Sequence, residues 1–371
     1  VIKSTNGGTS WAATGTGPDY SRKVMVHPTN SKIVFATAQN GLWRSTNSGV
    51  SWTNVQNTDF EDLEFNPANP NIMYASRSDF TLLSCVWRSS DNGVNWTNIG
   101  LGNGITTSGR TLLGVSPANP AVLYVLQSKG DLFGVLYRSN DSGKTYKVQV
   151  KASSSTNYFG NPTDCSGTTG QAWYDMAICV NPKDVDEVHI GGMIAFKSTN
   201  GGVSFTAESG YWYPNSIGYI HPDLHAFEYV NQTLFVGTDG GIFKSNNKGD
   251  DWKVMSNGLG IRQLYKISCS KTNPMVITAG AQDQGTTYRR SNGQWFDWSG
   301  GDGGDNTIDP TNADIAISTS QYGLPYKTTN AGSTHVTLKQ INKGIFIAPI
   351  TYHPSSGDTV FAGWSGVYRS D

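Results

Sequence analysis

The chain has 371 residues, 15% of them charged, and a formal net charge of −1 at pH 7. This balance argues against a nucleic acid or an anionic membrane surface as partner. No signal peptide or transmembrane run is visible, so we expect a mature or trimmed product without membrane insertion. The 43 glycines, 17 tyrosines and 11 tryptophans are typical of an all-β globular protein rich in turns.

A short phrase recurs along the chain with the pattern Ser-x-(Asp/Asn)-x-Gly-x-(Ser/Thr/Asn/Asp)-aromatic. Its copies occupy residues 4–11, 45–52, 89–96, 139–146, 198–205 and 245–252, with a weaker copy at 328–335. We call these segments the repeat turns. We interpret each as a turn between two strands, because Asp or Asn accepts backbone hydrogen bonds, Ser caps the turn and Gly adopts positive φ. A period of about 40 to 60 residues predicts a repeat architecture.

The second repeat unit shows the predicted elements in chain order. Residues 23–27 alternate as an inner strand, residues 28–30 turn, residues 33–38 return, residues 41–45 lead into the repeat turn, and Trp52 opens an outer strand. Similar turns with Pro or Asn recur at residues 66–70, 116–120, 181–182, 309–312 and 353–354. This pattern predicts a β-propeller built from four-stranded blades.

The number of blades follows from the repeats and from the two ends of the chain. We recognise complete units between Ser4 and Thr328, with a partial blade at each terminus. Joining the partial blades predicts a single propeller domain over residues 1–371, most simply with eight blades, since closure removes the exposed sheet edges. Seven blades is an alternative, and nine or ten would fit a fragment of a longer protein.

The repeat turns resemble the Asp-box, or BNR repeat, of sialidases, sortilin-type receptor ectodomains and two-propeller xyloglucanases. This resemblance covers essentially the whole chain and implies a β-propeller fold. Three further segments, Trp173-Tyr174-Asp175, residues 221–226 and residues 282–285, resemble a family of large secreted bacterial surface proteins. That resemblance implies an extracellular or cell-surface location, within a larger multidomain protein.

Function is expected where the repeats depart from their own pattern. An insertion at residues 152–170 is followed by unusual segments at 171–175, 211–213, 221–225, 237–241, 281–285 and 300–305. Most of them lead into an inner strand or join the second strand of a blade to the third. Such connections lie at one end of a propeller, so we expect these segments to converge on one mouth of its channel.

Residues His221, Asp223 and His225 suggest a metal site. Residues i, i+2 and i+4 of a strand share a face, so two imidazoles and a carboxylate would be presented together, as zinc requires. Hydrogen bonding to loop backbone is the structural alternative. Oxygen-rich loops that contain Asp239, Asp283 and their neighbours would suit calcium. No cofactor is required, and a divalent cation, calcium or zinc, is the candidate.

A glycosidase needs two carboxylates about 5 to 9.5 Å apart. The candidate catalytic residues are Asp175, Asp223, Asp283, Asp302 and Asp305, and the candidate ligand-binding residues are Trp173, Tyr174, Trp212, His225, Tyr322 and Trp364. Resemblance to xyloglucanases argues against this activity, because those enzymes place acid and base on two facing propellers. The sialidase arginine set is absent too. A polysaccharide lyase would use His225 and Tyr174.

The sequence leaves open whether two of the four cysteines form a disulfide bond. Cys165 and Cys179 flank the insertion and would bridge in an oxidising compartment, whereas Cys85 and Cys269 are expected to be buried thiols.

The absence of a recognisable catalytic set favours a secreted or cell-surface binding or adhesion propeller, which recognises a glycan or a protein partner at the channel mouth. A glycoside hydrolase or polysaccharide lyase is the second hypothesis. A structural domain of a long surface protein is the third.

Overall fold

The computed structural model describes residues 1–78, 85–106, 109–153, 155–211 and 218–370. Within these ranges the chain is all-β, with a single short 3₁₀ helix at Gln321–Gly323. The chain divides into two compact units, Val1–Asn257 and Gly258–Asp371, which are described separately below. The expectation of one domain over the whole chain stays a prediction, as does the blade number.

Among its described residues, the first unit contains five four-stranded sheets, preceded by a two-stranded one. Its strands are β1 (Ile2–Lys3), β2 (Ala12–Ala13), β3 (Ser21–Val26), β4 (Val34–Ala38), β5 (Gly41–Ser45), β6 (Thr53–Gln56), β7 (Asp62–Phe65), β8 (Met73–Ser76), β9 (Val86–Ser89), β10 (Thr97–Asn98), β11 (Thr111–Val115), β12 (Leu123–Lys129), β13 (Leu132–Ser139), β14 (Lys147–Lys151), β15 (Ala177–Val180), β16 (Val188–Gly191), β17 (Ala195–Ser198), β18 (Thr206–Ala207), β19 (Leu224–Val230), β20 (Thr233–Thr238), β21 (Gly241–Ser245) and β22 (Lys253–Val254).

The second unit contains two four-stranded sheets and a three-stranded one among the described residues. Its strands are β23 (Leu264–Cys269), β24 (Ile277–Ala281), β25 (Gly285–Arg289), β26 (Trp295–Ser299), β27 (Asn306–Ile308), β28 (Ala316–Thr319), β29 (Pro325–Thr328), β30 (Val336–Thr337), β31 (Ile350–His353), β32 (Ser356–Gly363) and β33 (Val367–Ser370).

Each four-stranded sheet joins strands that are consecutive in the sequence, and every pairing is antiparallel. In the sheet β3–β6, Met25 pairs with Phe35 and Phe35 pairs with Arg44. The prediction of four-stranded propeller blades is therefore confirmed.

Burial differs between the first and second strands of a sheet. All five residues of β4 are buried, as are all four of β16, whereas no residue of β3 is fully buried. Apolar side chains from neighbouring sheets pack together, as Leu126 and Leu136 do with Ile190. The core thus lies between sheets.

The repeat turns have the hydrogen bonds that their sequence predicts. In the copy at residues 45–52, the Ser45 hydroxyl donates to Asn47 Oδ1 at 2.9 Å and accepts from the Gly49 N–H at 2.9 Å. The Ser51 N–H also donates to Asn47 Oδ1, at 2.9 Å. Positive φ occurs at Gly49, as expected, and also at the preceding residue, Ser48.

At four places among the described residues, a basic residue that precedes a turn ties one sheet to the next. Its side chain donates to a backbone carbonyl in the repeat turn of the following sheet, in the pairs Lys3 to Ser48 O at 3.0 Å, Arg44 to Asn92 O at 2.9 Å, Lys197 to Lys248 O at 3.0 Å and Arg290 to Ala331 O at 3.0 Å. These cations are structural, which leaves them out of any binding surface.

All four cysteines are free thiols, so the possible bridge between Cys165 and Cys179 is not formed. Cys85 is buried as predicted, but the prediction was wrong for Cys269, which is exposed. Cys269 ends β23, a first strand whose residues are mostly exposed. No helix among the described residues is long and apolar enough to cross a membrane.

Candidate functional site

A cavity of about 1020 Å³ runs along the first strands of the five complete sheets in the first unit. The strands β3, β7, β11, β15 and β19 each contribute lining residues, which include Lys23, Glu64, Leu113, Cys179 and Glu228. Trp173 and Arg110 line it as well. The cavity is thus built from equivalent positions of successive sheets.

Ion pairs between neighbouring first strands hold the cavity wall. Lys23 Nζ lies 2.7 Å from Asp62 Oδ1 and 2.6 Å from Glu64 Oε1. Burial disfavours the charged amine of Lys23, but the two carboxylates outweigh it and raise its pKa. Burial also raises the pKa of Glu64, to about 7, against the opposing effect of Lys23. Lys23, Asp62 and Glu64 thus pair with one another. Glu228 is an exposed acidic residue on the cavity wall.

The segment at residues 171–175 is anchored beside the cavity. The Tyr174 N–H donates to Gln171 O at 2.7 Å, which closes a tight turn. Arg110 Nη1 donates to Ala172 O at 3.1 Å and to Tyr174 O at 3.0 Å, and Arg110 Nε donates to Glu61 Oε1 at 2.9 Å. This anchoring fixes the direction of the side chains that the segment carries.

The preceding insertion also supports this segment. Asn157 Nδ2 donates to Gly167 O and to Thr169 O, both at 3.0 Å, and Phe159 is fully buried in the core. Part of the insertion therefore packs into the fold as a brace for residues 171–175.

Two carboxyl groups meet at the side chain of Gln171. Gln171 Nε2 donates to Asp175 Oδ2 at 3.1 Å and to Asp223 Oδ1 at 2.5 Å. Asp175 is fully buried, and burial raises its pKa to about 8, with Asp223 adding to the effect. Burial raises the pKa of Asp223 too, and the charge of Asp239 adds to it. Burial and the nearby negative charge thus both favour the protonated form of this pair.

A second polar group includes His225, which lines the cavity together with Trp173, and we call this place the mouth of the first unit. Tyr174 Oη donates to both oxygens of Asp239, at 3.1 and 3.0 Å, and His225 Nε2 lies 2.7 Å from Asp239 Oδ1. The hydrogen bond to Asp239 raises the pKa of His225. The rings of Tyr174 and His225 meet edge to face, with centroids 4.7 Å apart.

Trp173 is the most exposed aromatic side chain of this group. It is 67% exposed, and its ring centroid lies 5.5 Å from that of Tyr174. A large apolar ring that stays in water on an anchored segment offers a flat surface for a ligand.

The predicted metal trio is divided among separate partners. His225 faces Asp239, and Asp223 is bound to Gln171, as above. His221 Nδ1 lies 3.1 Å from the carbonyl of the next residue, Pro222. Asp223 lies at φ 64, so the chain bends at this point and the three residues do not share one strand face.

The candidates in the second unit fall into two groups. Asp302 accepts from the Asp283 N–H at 2.6 Å and from Gln321 Nε2 at 3.0 Å, and Asp305 accepts from the Asn306 N–H at 2.9 Å. These two carboxylates hold loops together. The aromatic candidates of this unit, Tyr322 and Trp364, lie near each other, because Trp364 Nε1 donates to the carbonyl of Gly323 at 3.0 Å. Trp212 lies outside the described residues.

Sequence reasoning missed Arg110, Glu61 and the bridging role of Gln171. Arg110 precedes β11 and Arg22 lies at the start of β3, an equivalent place in an earlier sheet, and both lie beside Glu61. A non-repeat arginine at the start of a first strand was the available signal. No comparable sequence signal marks Glu61, because its partners are distant in the sequence.

No protein-family model and no curated protein matches this chain. Among solved structures, the chain is similar to the GH74 xyloglucanase from Xanthomonas campestris, with 14% identity, a TM-score of 0.51 and coverage of 94% of this chain and 62% of that one. It is similar to the GH74 enzyme from Niastella koreensis with 16% identity, a TM-score of 0.51 and coverage of 97% and 64%. The chain thus spans less than two thirds of both enzymes. At these identities the likeness shows the fold alone, and that fold is a β-propeller.

Proposed function

We propose that this protein is an extracellular carbohydrate-binding β-propeller, and that its ligand docks at the mouth of the first unit, on Trp173 and Tyr174. The observation that supports this proposal most is that the Trp173 side chain is 67% exposed, although Arg110 anchors the segment to which it belongs. The extracellular location and a place in a larger surface protein rest on the resemblance to secreted bacterial proteins.

The mouth combines the two kinds of contact that sugars use. Aromatic faces stack on the C–H face of a pyranose ring, and polar groups fix its hydroxyls. Trp173 and Tyr174 supply the first kind, while the carboxylate of Asp239, beside His225, supplies the second. Most of these groups are already oriented by hydrogen bonds, so little ordering is needed when a ligand binds.

The test is a glycan array with wild-type protein and the variant Trp173→Ala, followed by titration with the best glycan. We expect the variant to bind at least about tenfold more weakly, because central aromatic anchors dominate binding energy. The matched control is Trp295→Ala, which removes a tryptophan that is 54% exposed on β26. Equal affinity of Trp173→Ala and wild type would refute this site. A run with EDTA tests the proposal of a divalent cation.

A glycoside hydrolase is the second candidate, and one observation favours it. The raised pKa of Asp175, about 8, is the property that a general acid needs at neutral pH. However, Asp175 is fully buried, so its proton has no open path to a bound sugar. A lyase ranks lower still, because the hydrogen bond to Asp239 raises the pKa of His225, which disfavours the neutral form that a base needs. New reducing ends in a polysaccharide digest would reverse this order.

A further inference from the structure

The second unit carries a group of four aromatic rings, of which two are exposed and two are half-buried. Tyr322 and Phe346 meet edge to face with centroids 5.6 Å apart, and Trp364 lies 5.3 Å from Tyr368. Trp364 Nε1 donates to the carbonyl of Gly323, which joins the two pairs. Tyr322 is 48% exposed and Phe346 is 40% exposed. We call these four side chains the aromatic platform.

The backbone at Tyr322 is unfavourable for a tyrosine. Its φ is 62, a left-handed conformation that Gly or Asn adopts much more readily. Three hydrogen bonds hold it there: the Tyr322 N–H donates to Phe346 O at 2.9 Å, while the Gly344 N–H and Gln340 Nε2 donate to Tyr322 O at 2.8 and 2.6 Å. These contacts thus maintain an unfavourable backbone conformation at Tyr322, although its side chain is about half exposed to solvent. Such a conformation persists only where the surrounding contacts hold it.

Polar side chains surround the rings. Asn342 Nδ2 donates to Tyr368 Oη at 2.7 Å, and Ser365 Oγ lies 3.2 Å from the same oxygen. Lys343 Nζ lies 5.5 Å from the centroid of the Tyr322 ring. Amides and hydroxyls beside flat rings match the alternating apolar faces and hydroxyl edges of sugars, and they match apolar peptide side chains less well.

We infer that the aromatic platform is a second carbohydrate-binding site, which takes a polysaccharide chain through Tyr322 and Trp364. This inference goes beyond the mouth site of the first unit, because it rests on different residues. Two sites on one protein would bind a long polymer more tightly than either alone, provided that one chain reaches both.

The test uses Tyr322→Asn, which removes the ring and leaves a residue suited to positive φ. We expect this variant to keep or raise the midpoint of thermal unfolding and to bind at least about fivefold more weakly to a soluble polysaccharide from a panel of xyloglucan, mixed-linkage glucan, xylan, mannan and pectin. The control is Tyr20→Asn, since Tyr20 has φ 48 and is 77% exposed. It should leave binding unchanged. Phe346→Ala, a second variant, should weaken binding without altering the backbone at Tyr322.

The outcomes for the two sites are distinguishable. Weak binding by Tyr322→Asn together with unchanged binding by Trp173→Ala would support the aromatic platform and refute the mouth site. The reverse result would overturn the inference and leave the mouth site standing. Binding of none of the five polysaccharides by wild type would overturn the inference, and a protein that binds the platform instead would do the same.

Discussion

At the scale of single residues, two opposing effects act on the carboxyl group of the buried Asp175. Its Oδ2 accepts from Gln171, yet full burial beside Asp223 makes a second negative charge costly. Protonation resolves the conflict, which explains why the pKa of Asp175 rises to about 8.

The pH dependence of stability should reveal this proton. The folded pKa of Asp175 lies above its unfolded value, so the folded state binds more protons and loses stability as the pH rises from about 4 to 8. The variant Asp175→Asn cannot lose a proton there. We expect it to gain at least about 1 kcal/mol relative to wild type between pH 4.5 and 8, measured by urea unfolding. A constant difference between the two proteins across this range would contradict the assignment.

Single residues also show what the sequence could and could not predict about the site. Trp173, Tyr174 and His225 were identifiable because they lie in segments that break the repeat. Their partners were harder to find, since Arg110 reaches residues 172 and 174 from another sheet. The positive φ of Asp223 was not visible in the sequence either, and metal binding by His221, Asp223 and His225 stays a prediction.

At the scale of elements, a buried charged group links two neighbouring sheets. His189 on β16 is fully buried, with Nδ1 at 2.9 Å from Glu208 Oε2 and Nε2 at 3.4 Å from Glu187 Oε1. From the next sheet, Tyr229 Oη and Lys248 Nζ approach Glu187 at 2.8 and 2.7 Å. Burial disfavours the imidazolium, but Glu208 and Glu187 outweigh it and raise the pKa of His189 to about 9.

Removal of this imidazolium should destabilise the protein in a pH-dependent way. The folded pKa exceeds the unfolded value of about 6.5, so the stabilisation is complete below pH 6.5 and is lost as the pH rises through about 9. We expect His189→Gln to cost about 3 to 5 kcal/mol at pH 6.5 and clearly less at pH 10, measured by chemical denaturation. An equal loss at both pH values would show that His189 acts through packing alone.

The repeat turns offer a test of inter-sheet packing. Gly93 lies at φ 71, and a methyl group there would overlap the ring of Phe35 on the preceding sheet. Gly8 holds the equivalent place in the first repeat turn, at φ 89, where a methyl group would meet only Trp11 at 3.8 Å.

Both glycines should resist replacement by alanine, but to different degrees. We expect Gly8→Ala to cost about 1 kcal/mol for its backbone alone, and Gly93→Ala to cost at least about 2 kcal/mol more because of the overlap. Thermal unfolding of the two variants measures the difference. Similar melting temperatures would mean that the turns do not fix the spacing of the sheets.

Elements were the scale at which the sequence was most informative. The repeat turns predicted where strands end, because Ser45 and Asn47 have local partners within the same eight residues. The contact from Arg44 to the carbonyl of Asn92 joins different sheets. The position of Arg44 directly before the repeat turn was visible in the sequence, but its partner, the carbonyl of Asn92, was not.

At the scale of the whole molecule, some of the unusual segments contact one another within a unit, while their convergence on one mouth stays a prediction. In the first unit, residues 171–175 meet Asp223, while Tyr174 and His225 meet Asp239. In the second unit, Asp283 meets Asp302. Equivalent positions in successive blades come together, which is why a repeat pattern could predict this much. The ion pairs of the cavity were invisible, since Lys23 and its partners lie about 40 residues apart in the sequence.

The most direct measurement is calorimetric titration of the best polysaccharide from the panel into wild type, Trp173→Ala and Trp295→Ala at pH 7. If the mouth of the first unit binds carbohydrate, wild type and Trp295→Ala will bind alike, and Trp173→Ala will bind at least about tenfold more weakly. Equal affinities for all three proteins would contradict a carbohydrate site at Trp173.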